Sequence, residues 1–186
     1  MEREKTVWSG EYKGVSFEIQ RYPGYEWKSM TANKFNWTFY LYLWIDRIPT
    51  DGESYWLEPR KDERGRIHYD YYRHAVLPEI DWHGGITWYS KESGHDGEKR
   101  VIKVGCDFQH SWDFEHGDYD LDTVKYEVLG AIDSFRALVP GYKYWCREDG
   151  SLHAPEEVEL FPDGAYACLH RKMATASLTP PPKEML

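Results

Sequence analysis

Val15, Phe17 and Ile19 alternate with Ser16, Glu18 and Gln20, the period-two pattern of a half-buried strand. Arg21 to Tyr25 reads as a turn, because Pro23 presets φ and Gly24 accepts a positive one. From Trp37 to Ile45 the alternation resumes, but Tyr40, Tyr42 and Trp44 make the second face aromatic as well. That predicts a central strand covered on both sides, ended by Pro49-Thr50-Asp51-Gly52. Further on, Gly84-Gly85 leads into Ile86 to Tyr89, and Lys99 to Phe108 returns after the loop Ser93 to Gly97. The segments 86–90 and 99–108 therefore read as one hairpin. A short strand is also expected around 66–72.

The period then changes. Leu121, Val124, Val128, Ile132, Phe135 and Leu138 form one apolar stripe at helical spacing. Asp118, Asp120 and Asp122 crowd its start, where carboxylates cap free N–H groups and meet the positive end of the dipole. Pro140-Gly141 stops it. Tyr142 to Arg147 and Ala165 to His170 read as short late strands. The expected fold class is α+β: a mainly antiparallel β-sheet with one long helix, about 119–138, packed on it. Residues 1–173 read as a single domain and 174–186 as a flexible Pro-rich tail.

Composition narrows the function classes. The 186 residues are 41% hydrophobic and 30% charged, which fits a globular protein rather than a disordered one. Aromatics reach 17%, with nine Trp and fifteen Tyr, favouring β structure and contact surfaces. The net charge of −9 argues against direct nucleic-acid binding and leaves open a basic protein partner. The start, Met1 to Lys5, is too charged for a signal peptide, and the apolar run Phe39 to Ile45 is too short to cross a membrane. Three widely spaced cysteines, Cys106, Cys146 and Cys168, form no disulfide framework, so a cytoplasmic location is expected.

Three constellations carry candidate chemistry. In His83-Gly84-Gly85 the glycines let a ligand approach the backbone, and the imidazole offers a base, an acid or a metal ligand. The plainer alternative is a tight turn into a strand with an incidental histidine. At the end of the returning strand stand Asp107 and His110, followed by Asp113 and Asp118. The start of one hairpin strand faces the end of the other, so His83 is expected to approach Asp107 and His110. The three would form a candidate catalytic or divalent-metal set, or a polar lock closing the sheet end. Residues 104–124 hold six acids and no Lys or Arg, a field that attracts a cation or a basic surface. It equally fits a solvated acidic loop. The third is the stretch 58–74, where Arg64 and Arg66 interleave with Tyr69 and Tyr71, residues that can hold phosphates and stack bases. Four acids dilute it, which favours a solvated loop. No P-loop, G-x-G-x-x-G, G-x-S-x-G or H-E-x-x-H occurs. Cys106 beside Asp107 is a poor thiolate nucleophile. With no complete catalytic set, the sequence leans away from an enzyme.

The blocks Asp81-Trp82-His83-Gly84-Gly85-Ile86-Thr87-Trp88, Val104 to His110, and Thr123 to Val128 together resemble a family of small uncharacterised proteins of phages, prophages and mobile elements. Its pattern is V-H-G-G-L-T-Y, then G-F-D-C-x-H-x-G-D, then a helix opening Y-V-x-x-E. The resemblance covers about residues 78–138. Phe108 stands where the family has its cysteine, and the Gly-Asp is placed at Gly117-Asp118, after an insertion. The resemblance implies a mobile-element origin and no known activity. The expected role is an accessory protein in a bacterial host cell that counters a defence system by binding a host effector. An anti-CRISPR-like inhibitor of a Cas nuclease is its most concrete form, with Gly84, Gly85, Asp113, Asp118, Arg64, Arg66, Tyr69 and Tyr71 as candidate contacts. The alternatives are nucleotide-signal binding or metal-dependent hydrolysis at His83, Asp107 and His110, and a phage structural role. No cofactor is expected beyond a candidate divalent metal.

Overall fold

A computed structural model describes residues 5–23, 35–49, 64, 76–94, 97, 100–110, 112–113 and 119–169. Five strands form one sheet: β1 (Thr6–Tyr12), β2 (Val15–Pro23), β3 (Phe35–Trp44), β4 (Trp88–Glu92) and β5 (Val101–Asp107). Their spatial order is β1-β2-β3-β5-β4, and every pairing is antiparallel. The long helix α1 (Leu121–Leu138) packs on one face. This is the α+β architecture that the alternation and the single apolar stripe predict. The hairpin expected at 86–90 and 99–108 is β4 paired with β5.

Register explains the two-faced character of β3. Ile19 pairs with Phe39 and Phe39 with Cys106, while Leu41 pairs with Val104 and Leu43 with Ile102. Paired residues point to the same side, so these buried side chains form one apolar layer. Against it α1 places Val124, Val128, Ala131, Ile132 and Phe135, all fully buried. The opposite side carries Glu18, Tyr40, Tyr42 and Lys103. There the Lys103 ammonium lies over both tyrosine rings, 4.4 Å and 5.2 Å from their centroids. Asp120 caps α1 by accepting from the Thr123 backbone N–H at 2.8 Å.

Beyond α1 come two small hairpins, β6 (Tyr144–Cys146) with β7 (Ser151–His153), and β8 (Val158–Leu160) with β9 (Tyr166–Cys168). β6 and β9 lie within the two late strands expected from the sequence. The strand expected around 66–72 and the tail 174–186 lie outside the described residues. Among the described residues no helix is long and apolar enough to cross a membrane.

Candidate functional site

β5 ends at Asp107, and the chain continues through Phe108, whose N–H still donates to the Trp37 carbonyl at 3.0 Å. Phe108 therefore stays in the buried layer. A turn follows at 110–113, closed by the Asp113 N–H donating to the His110 carbonyl at 3.0 Å. Alongside runs the segment into β4, held by the Thr87 N–H to the Gly105 carbonyl at 2.9 Å. This places His83 flat against Phe108, with ring centroids 4.0 Å apart. Tyr119, just before the helix, stands edge-on to both rings and is fixed by the Trp37 indole N–H donating to its carbonyl at 3.0 Å.

Asp113 lies at the centre of these groups and its side chain is fully inaccessible. Its Oδ1 accepts from His83 Nε2 at 2.7 Å and from the Tyr119 hydroxyl at 2.8 Å. Its Oδ2 accepts from the His110 backbone N–H at 2.8 Å and from His110 Nδ1 at 3.1 Å. A carboxylate only accepts, so each facing ring nitrogen carries a proton. Burial alone would raise the Asp113 carboxyl, but the bonds from Tyr119, His83 and the His110 backbone together hold it below its ordinary value. Burial, then the bond to Asp113, pushes the Tyr119 phenol up to about 12.

Gly84 packs its backbone on the His110 ring with φ 71°, and a Cβ there would overlap that ring. The His110 ring also stacks on Trp112, centroids 4.5 Å apart and planes 5° from parallel, and Trp112 is 44% exposed. Gly85 also takes a positive φ, 107°, and a Cβ there would meet nothing.

The structure thus brings His83 and His110 together as the hairpin register predicts, but their carboxylate is Asp113 and not Asp107. Strand parity is the reason. Cys106 and Phe108 face the core, so Asp107 between them belongs to the opposite side, with Lys103. Cys106 is buried beneath His83, and burial first, with a smaller contribution from Asp107, pushes its thiol well above the ordinary value. A thiolate nucleophile is disfavoured there. Asp118, Arg66, Tyr69 and Tyr71 lie outside the described residues; Arg64 is described and exposed.

Sequence reasoning did not single out Tyr119 or Trp112 as parts of the site. A signal for the carboxylate was available in the spacing alone: Asp113 follows His110 by three residues, close enough for its side chain to turn back onto the His110 backbone N–H. No protein-family model, curated protein or solved structure matches this chain.

Proposed function

We propose that the protein holds a divalent metal ion at His83, His110 and Asp113 and uses it to bind a phosphate-bearing ligand of the nucleotide class. The observation that carries this is convergence: one ligand atom from each of these residues lies within 4.8 Å of the other two. Two imidazoles and a carboxylate suit a divalent transition metal. The ion would take the place of the two ring protons that now face Asp113, each imidazole then carrying its proton on the nitrogen turned away from the metal. Metal–ligand bonds of about 2.1 Å need ligand separations of about 3 Å, and the present contacts of 2.7 Å and 3.1 Å are close to that. Asp113 would keep the His110 N–H and the Tyr119 hydroxyl as orienting partners. Three protein ligands leave a coordination position for a ligand oxygen. The six acids of residues 104–124 favour gathering the cation. Trp112, exposed and already stacked on His110, offers a face for a base.

Manganese separates this site from soft thiolate sites, which bind it weakly. Stoichiometric Mn²⁺ uptake, with binding or hydrolysis of cyclic or linear nucleotides, is expected for the wild type. Asp113→Asn and His83→Ala should lose at least tenfold in both. A wild type that takes up no metal and touches no nucleotide, while both variants melt earlier, would leave Asp113 as a polar lock only.

The charge of −9 favours a second reading, in which an acidic surface occupies the basic channel of a host defence protein such as a Cas nuclease. Exposed Trp88 and Tyr126 supply aromatic anchors. Association with such a nuclease should slow as salt rises. Absence of any complex at low salt would remove this reading.

A further inference from the structure

We propose that Cys146, His153 and Cys168 form a second, structural metal site that takes Zn²⁺ and ties the two C-terminal hairpins together. It is independent of the reading of the first site. One ligand atom from each residue lies within 4.8 Å of the other two. The three come from different strands: Cys146 from β6, His153 from β7 and Cys168 from β9. Tetrahedral zinc with bonds of about 2.3 Å to sulfur needs sulfurs roughly 3.8 Å apart, within that span. Sulfur and imidazole ligands select zinc over magnesium or calcium.

The surroundings fit a metal better than a bare packing contact. Each hairpin has strands of only three residues, and an isolated two-stranded hairpin is marginal in water. Of these twelve strand residues, Tyr144 and Cys146 alone are buried, so little apolar area holds the pair. Direct ties between the hairpins include the Tyr166 hydroxyl donating to the Trp145 carbonyl at 2.8 Å and the Tyr144–Tyr166 ring contact at 4.9 Å. A metal joining three of the four strands would tie the two hairpins to each other directly. Asp149 borders this group rather than joining it. It follows Cys146 by three residues, and its Oδ2 lies 3.1 Å from His153 Nε2. A cleft of about 380 Å³, lined by Glu11, Trp145, Cys146, Arg147, Tyr166 and Cys168, gives the ion a way in.

Cobalt reports thiolate ligation directly. Protein stripped of metal under reducing conditions should bind Co²⁺ with a thiolate-to-cobalt charge-transfer band, and Zn²⁺ should displace it. Cys168→Ser should lose most of that band and weaken zinc binding at least tenfold. His83→Ala should leave the band unchanged, so failure here and failure at the first site are distinguishable. Wild-type protein that gives no thiolate band overturns the proposal, and this arm needs no variant to fold. So does a Cys146–Cys168 disulfide found by mass in protein isolated from a reducing cytoplasm.

Discussion

Asp113 is a buried acid whose cost of burial is offset only while it is ionised and accepts from His83, His110 and Tyr119. Its carboxyl is held below the ordinary 3.8, so the ionised form contributes stability above that pH. That contribution fades as pH falls from about 3.8 through the lowered value. Asp113→Asn should therefore flatten the acid limb of a melting-temperature profile; an unchanged limb would mean that the carboxylate does not hold the turn. Gly84 gives a second prediction at this scale. With φ at 71° and His110 against its backbone, Gly84→Ala combines strain with overlap and should cost about 2–4 kcal/mol in urea unfolding. Equal stability would place the ring elsewhere. The misplaced carboxylate shows what a linear reading lacks. Asp107 and Asp113 are equal as letters, and only the parity of β5 turns the first away. What brings Asp113 back is a turn that no alternation pattern reports.

The helix was legible in detail because periodicity, capping acids and a Pro-Gly stop all point to the same segment, and α1 begins within two residues of the expectation. The central strand was legible from its alternation, and it pairs with both β2 and β5; its second face, Tyr40, Tyr42 and Trp44, is however half-buried rather than covered as the first face is. β1 was covered only by the general β character of the first 45 residues, since Gly10 and charged Glu11 interrupt its pattern. β7 and β8, three residues each, are too short to show a period. The helix–sheet contact yields a clear test. Val128 is fully buried between α1 and the sheet layer, so Val128→Asp would put an unpaired charge into the core. A loss of about 3–5 kcal/mol is expected. A melting temperature equal to the wild type would reject the packing of that face.

At the scale of the molecule, the C-terminal hairpins must be held to the sheet, and Arg136 sits where the two meet. From α1 its Nε donates to the Lys13 carbonyl at 2.8 Å, and the same guanidinium also reaches the Tyr142 carbonyl. It lies 4.0 Å over the Tyr144 ring of β6 and 4.8 Å over that of Tyr142. Lys13 is itself bound to the second hairpin, its N–H donating to the Gly164 carbonyl at 2.8 Å. One planar cation thus joins the helix, the β1–β2 turn and the first late hairpin, with Lys13 carrying the tie on to the second, and burial lowers its pKa as expected for a desolvated charge. A lysine cannot repeat this, because the contacts need a flat fork that stacks and donates in several directions. Arg136→Lys should therefore cost nearly as much as Arg136→Met, about 2–4 kcal/mol, through carbonyls left without their donor. The loss has a location as well as a size. Amide hydrogen exchange should rise first in residues 144–168, ahead of β3 and β5, because the hairpins depend on Arg136 while the sheet layer is held by its own apolar contacts. Uniform loss of protection across sheet and hairpins would show instead that Arg136 supports the whole core.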